Sequence, residues 1–164
     1  MLVTDNPAAG ALQVASQYGL PKHCVSPKEY THIQAWDEAL VDILLKYDPD
    51  FILLAGFLRK IGPRVLNVFQ NRIINSHPSL LPKYGGKGLY GRRVHEAVMT
   101  AGEKSTGVTV HLVNEKYDAG PILRQMQTPI VAGETTEHLE NRVKKIEKAI
   151  LLEFLNEWKI NSKT

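Results

Sequence analysis

Between two prolines, Pro49 and Pro63, the chain runs through "FILLAGFL" (51–58), whose first five residues are apolar without a break. A run so short and so apolar, between residues that end and start helices, reads as a strand over 51–55 buried on both faces. Strands of that kind belong to parallel sheets covered by helices, and the flanking sequence agrees. Residues 30–46 carry Ile33, Trp36, Leu40, Ile43 and Leu44 at helical spacing before it. After it Pro63 opens a short helix to Phe69, proline being favoured at the first helical position. Residues 72–75 are then the next strand.

The alternation continues in both directions. Residues 2–4 predict a strand, Asp5, Asn6 and Pro7 a turn, 8–18 a helix closed by Gly19, and 23–25 a second strand. Downstream, 92–101 predicts a helix with Val94, Ala97, Val98 and Ala101 inward. Residues 107–113 alternate like a strand, and 121–130 are again extended. The stretch 134–158 is a long helix with Leu139, Val143, Ile146, Ile150 and Phe154 on one face. The expected fold is one doubly wound α/β domain, its sheet mostly parallel with helices on both faces. Its 164 residues suffice for a single sizeable core.

Several function classes fall away. No apolar run approaches the roughly 20 residues of a membrane span, and the first ten residues lack the pattern of a secretory leader. Cys24 is the only cysteine, which excludes an internal disulfide and suits a reducing cytoplasm. A net charge of +3 suits a small anionic ligand and is too mild to argue for nucleic acid. "HEAVM" (95–99) has Met99 where a zinc-protease helix needs its second His, and the six histidines show no metal-ligand spacing. No metal is expected. GxSxG, Walker A and GxGxxG are all absent.

Ligands of open α/β sheets bind beyond the carboxyl ends of the strands. The strand reaching Asn75 leads there into "INSHPSLLPKYGGKG" (74–88). Asn75 and His77 share one side of an extended chain and Ser76 takes the other, while Pro78 keeps His77 out of the helical region. An amide beside an imidazole can stabilise an oxygen that turns negative during acyl transfer, and the imidazole can move a proton near neutral pH. On these two residues alone, a histidine satisfied in the core beside a turn-capping Asn is an equal reading. In "NEKYDAGPIL" (114–123), Asp118 stands in a turn that would hold its carboxylate at a strand end. A carboxylate beside a histidine raises the imidazole pKa and orients the ring. Taken singly, Asp-x-Gly is ordinary turn chemistry. "KYGGKGLYGRR" (83–93), basic and glycine-rich, favours an anionic ligand.

Together "NSHPSLLPKYGG", "TGVTVHLVNEKYDAGPIL" and "LLAGFLRKI" resemble the formyltransferase fold family, with similarity running over residues 1–158. The resemblance implies folate-dependent transfer of a formyl group from 10-formyltetrahydrofolate to a primary amine. The nearest pattern is that of members acting on glycinamide ribonucleotide in purine biosynthesis. It makes Asn75, His77 and Asp118 the catalytic trio, with His77 as an imidazolium that Asp118 keeps charged. Main chain at Leu58, Arg59 and Ile61, with His111, would receive the folate. Pro78, Glu147 and Lys28 would face the amine substrate, Glu147 at its ribose and Lys28 near its phosphate, with the 83–93 loop completing the pocket. The same trio would serve a 10-formyltetrahydrofolate hydrolase using water, and a folate- or nucleotide-binding relative without turnover is a third reading. The resemblance starts at the family's second strand. The first strand and the Gly-Ser-Asn-type phosphate loop have no counterpart, so a shortened single domain over 1–164 is expected, with phosphate left to Lys or Arg. The expected partners are small molecules only, with no nucleic acid and no membrane, and the chain is expected as a monomer or homodimer.

Overall fold

A computed structural model describes residues 1–161. They form two compact units: residues 1–50 with 61–70, and residues 51–60 with the chain from 71 onward.

In the first unit β1 (Leu2–Thr4) and β2 (Lys22–Cys24) pair in parallel. The chain then passes α1 (Ala11–Gln17), a single 3₁₀ turn (Pro27–Glu29), α2 (Ile33–Tyr47) and α3 (Pro63–Val68). Ala15, Val25, Trp36, Leu40, Leu44, Ile61, Val65 and Phe69 form its buried apolar set. The helical stripe in α2 is narrower than the sequence suggests, since Ile33 at its first turn stays 57% exposed. Trp36 Nε1 donates to the Val25 carbonyl at 2.8 Å, which ties α2 to the end of β2. Asp37 is buried and accepts from the Arg64 amide at 2.9 Å, so a side chain of α2 caps α3. Gly62 is needed there because a Cβ would stand 2.1 Å from the Asp37 carboxyl carbon.

The second unit is a four-stranded sheet of order β3 (Ile52–Leu54), β4 (Ile73–His77), β5 (Ser105–Leu112), β6 (Ile122–Pro129). β3 and β4 are parallel, whereas β4–β5 and β5–β6 are antiparallel. The α/β architecture is as expected, and the sheet is mixed. The short connection from β5 to β6 cannot make a parallel crossover, which takes a dozen or more residues, so it closes a hairpin. β3 is half-buried rather than buried on both faces, because among the described residues β4 is its only strand neighbour. β5 is the strand buried on both faces, from Thr106 to His111.

On one face of this sheet Ile74, Val108 and Val110 pack against Val94 and Val98 of α4 (Arg92–Thr100) and Leu139, Val143 and Ile150 of α5 (Thr136–Asn161). Ile146 and Phe154 join at the rim, while Ala101, expected inward, is exposed just past the end of α4. The opposite face carries the polar Asn75 and His77 of β4 and Thr109 and His111 of β5, with the buried Ile73 as its apolar exception. No helix among the described residues is long and apolar enough to cross a membrane.

Candidate active site

β4 and β5 pair so that Asn75 lies opposite His111 and His77 opposite Thr109. Strand alternation therefore sends all four side chains to one face. Each of these strands also carries apolar residues to the other face, which anchors the register: a slip of one residue would bury the polar set against α4 and α5. A register irregularity on the β6 side falls between Val110 and His111, a local feature that re-aims side chains.

The polar face is roofed by the segment after β4. Thr109 Oγ1 donates to the Ser79 carbonyl at 2.7 Å and accepts from the Leu81 amide at 3.0 Å and Gln125 Nε2 at 2.9 Å. One donor and two lone pairs are thus all used, which a buried hydroxyl requires. Ser79 Oγ donates to the Lys83 carbonyl at 2.6 Å. Further along, the Tyr84 hydroxyl and Lys83 Nζ both reach Glu103 Oε1 at 2.9 Å. These contacts fix the Tyr84 carbonyl, and His77 Nε2 donates to it at 2.8 Å.

Asp118 comes from the loop between β5 and β6. That loop is pinched at its base, where the Leu112 amide donates to the Pro121 carbonyl at 2.9 Å. Gly120 packs so closely there that a Cβ would lie 1.8 Å from the Leu112 oxygen. Asp118 itself takes a left-handed backbone with φ of 51°, which Asp tolerates better than most residues. The result is a carboxylate folded back between two imidazoles. Its Oδ2 is 3.5 Å from His77 Nδ1 and its Oδ1 is 3.6 Å from His111 Nε2. The Gly86 amide donates to Oδ2 at 2.9 Å. Asn75 Nδ2 and His111 Nε2 are 3.2 Å apart, and His111 Nδ1 donates to the Leu112 carbonyl at 2.9 Å.

Burial drives the electrostatics of this cluster. It pushes the His77 imidazole below its usual pKa, although the Asp118 carboxylate and the Tyr84 carbonyl both favour the charged ring. That direction favours the neutral ring in the free site, where the resemblance implies an imidazolium. For Asp118 burial acts against the charge. The His111 imidazole, the Gly86 amide and His77 outweigh it and hold the carboxyl below its ordinary range. Such a cluster can lend a hydrogen-bond donor to an oxygen, accept a proton at a bare ring nitrogen, and stabilise the cation that results.

The expected site residues divide clearly. Asn75, His77 and Asp118 come together, and His111, assigned to the folate, is bonded into the same cluster. Pro78 follows β4 directly and is half-buried. Leu58 and Arg59 are exposed on the segment leaving β3 through Gly56 at φ of 65°. Ile61, whose main chain was assigned to the folate, buries its side chain in the core of the first unit. Lys28 is exposed on the 3₁₀ turn of that unit. Glu147 of α5 accepts from Ser76 Oγ on the other side of β4. Tyr84, Gly86 and Thr109 are additions that sequence reasoning missed. Only Thr109 left a signal, as the polar residue between Val108 and Val110.

A family model described as formyl transferase matches residues 1–155. The chloroplastic phosphoribosylglycinamide formyltransferase of Arabidopsis thaliana is 43% identical over 145 residues, covering 87% of this chain and 49% of that protein. The phosphoribosylglycinamide formyltransferase of Bacillus subtilis is 36% identical over 147 residues, covering 90% of this chain and 73% of its own length. Among solved structures, glycinamide ribonucleotide transformylase 1 from Symbiobacterium toebii superposes with a TM-score of 0.85 at 34% identity, over 93% of this chain and 70% of that one. The chain spans about half the length of the plant relatives it matches.

Proposed function

This chain belongs to the formyl transferase family, and from that premise we propose that it transfers the formyl group of 10-formyltetrahydrofolate to the amine of glycinamide ribonucleotide. The observation that carries the reading is the Asp118 carboxylate set between His77 and His111, with Asn75 on the same strand face. The names of the relatives supply the substrate, since they are phosphoribosylglycinamide formyltransferases.

In this reading the amine nitrogen bonds to the formyl carbon and the carbonyl oxygen takes up negative charge. Asn75 offers that oxygen the N–H of its amide not directed at His111. His77 Nε2 is held by the Tyr84 carbonyl, so Nδ1 is the ring atom that receives the proton lost by the amine. The imidazolium so formed lies beside Asp118, whose negative charge favours it. Collapse of the adduct breaks the bond between the formyl carbon and the folate nitrogen, and that nitrogen takes the proton back from Nδ1. A ring that burial keeps neutral at rest is ready to act as this base. Main chain at Leu58 and Arg59 is proposed to meet the folate ring, and Glu147 the ribose. The assignment of Lys28 to phosphate rests on resemblance alone. We take both compact units as parts of one formyltransferase domain, because the family model runs through them continuously. The proposed compartment is the cytoplasm, a reducing environment suited to the exposed Cys24.

The test follows formyl loss from 10-formyltetrahydrofolate spectroscopically, with and without glycinamide ribonucleotide. Loss that requires the amine is the expected result. Loss at the same rate without it would convert the assignment to a hydrolase, and no loss in either case would reject both.

A further inference from the structure

Ser76 leaves β4 on the face opposite Asn75 and His77, and its hydroxyl donates to Glu147 Oε1 of α5 at 2.5 Å. That is the length of a charge-assisted O–H···O⁻ bond. Glu147 could pair along the helix with Lys144, three residues before it, while Lys145 and Lys148, two and one residues away, do not face it. It does not do so here. Lys144 turns to Glu140 at 2.7 Å, and among the described residues Ser76 is the only hydrogen-bond or ion-pair partner of Glu147. The side chain is half-buried, and its second oxygen, Oε2, has no hydrogen-bond donor among the described residues. A carboxylate oxygen is an acceptor only, so this one is open to an outside donor. Ser76 and His77 are the last two residues of β4, which puts that oxygen at the carboxyl end of the strand, where such sheets receive ligands.

We propose that Ser76 is a positioning residue for substrate recognition: it engages one oxygen of Glu147 so that the other is presented to a hydroxyl of a sugar-bearing amine substrate. The identity of that substrate rests on the reading above, and the new element is the role of Ser76. A neutral hydroxyl fits better than a cation, since Lys144, the lysine at pairing distance along α5, is held by Glu140 and not by Glu147. Without Ser76, the three side-chain torsions of Glu147 are free to swing the carboxylate away from the end of β4. The contact is made equally in ground and transition states, so its loss raises KM and spares kcat. One charge-assisted hydrogen bond corresponds to roughly tenfold in affinity.

Ser76→Ala, Ser76→Thr and the unmodified chain are to be compared on glycinamide ribonucleotide and on its 2′,3′-dideoxyribose analogue, by steady-state kinetics and by calorimetric binding. Ser76→Ala is expected to raise KM and Kd for the ribonucleotide about tenfold, with kcat within about twofold. It should leave the dideoxy analogue unaffected, and Ser76→Thr should restore ribonucleotide binding. An unchanged KM and Kd in Ser76→Ala would overturn the proposal, as would an equal loss on both ligands, which marks a merely structural role. If the unmodified chain binds the nucleotide but does not turn over, the transferase reading fails, and the calorimetric comparison still decides the role of Ser76. Binding of neither ligand by the unmodified chain overturns both.

Discussion

The two faces of β4 and β5 are made from alternate residues of the same strands, yet they are held by different physics. Toward α4 and α5, Ile74, Val108 and Val110 are fully buried among apolar side chains, where attraction is non-directional and adds up over area. On the other face Asn75, His77, Thr109 and His111 are stabilised one hydrogen bond at a time. Thr109 and His111 are as deeply buried as the valines beside them. Burial of polar groups is tolerable only where every donor and acceptor is matched, and the Thr109 hydroxyl meets that condition in full. The gap between His77 Nδ1 and Asp118 does not. At 3.5 Å it is longer than an N–H···O bond, so two acceptors face one another across room for a proton. The apolar face leaves the buried Thr106 hydroxyl without a hydrogen bond among the described residues, whereas the polar face leaves its gap at the atoms assigned to the reaction.

The strongest break in this comparison is His77→Ala. The variant should lose formyl transfer by about 1000-fold or more, the upper range for a proton-transferring side chain, while circular dichroism shows a folded chain. Rates like those of the unmodified chain would remove His77 from the mechanism. Leu139→Ala strikes the other face. It should lower stability by about 3 kcal/mol in denaturant unfolding, since the side chain is fully buried between α5 and the sheet. The transfer rate per folded molecule should not change. A large loss of rate in that variant would mean that the two faces are not separable.

The difference between the faces also explains what the sequence reveals. The apolar face is periodic, so α4, α5 and β5 can be read from spacing alone, whereas Asn75, His77 and Asp118 are singled out by the resemblance of their motifs. Partners are another matter. The Tyr84 carbonyl, the Gly86 amide and the oxygen of Glu147 that meets Ser76 belong to residues 7, 32 and 71 positions away from the groups they serve. No local pattern records such distances. The Asp37 cap on α3, across 27 residues, was hidden for the same reason. His111 could be assigned to the polar parity of β5, but its bond to Asn75 depends on the strand register, which only the folded sheet supplies. For the protonation of His77, the carboxylate neighbour is visible in sequence, whereas the depth of burial that opposes it is not.

Thr109→Val sharpens the contrast, because it makes one site on the polar face chemically like its valine neighbours without changing its shape. On the apolar face such a side chain would be ideal. Here it strands the Ser79 carbonyl and the Leu81 amide, and a stability loss of about 2 kcal/mol is expected in denaturant unfolding. The transfer rate should fall as well, since the 79–84 segment carries the carbonyl that holds His77 Nε2. A neutral or stabilising result would show that the roof of the site is held by something other than these bonds.

The smallest effect expected lies in the pH dependence of stability, and it compares one buried histidine from each side. Burial pushes both His77 and His95 below the usual imidazole pKa. The charged and titratable groups facing His77 are Asp118, His111 and Glu147, and those facing His95 are Glu140, Lys144 and His77. In neither case do the carboxylates outweigh the loss of water. Below about pH 6.5 the unfolded chain binds protons that the folded chain refuses, so stability is fully present above that pH and declines as pH falls toward the folded-state values. Asp118 acts in the same direction but later, because its depressed carboxyl costs stability only below about pH 4. A falling melting temperature between pH 7 and pH 5 should therefore come from the histidines. His95 is buried on α4, and among the described residues its Nδ1 has no hydrogen-bond partner. His95→Leu gives up no bond at that atom and should flatten the acid limb while leaving formyl transfer intact. His77→Ala should flatten it too, but at the expense of activity. If His95→Leu melts with the same pH slope as the unmodified chain, the acid lability belongs to the polar face alone, and the histidine on the helical side is as inert as the valines around it.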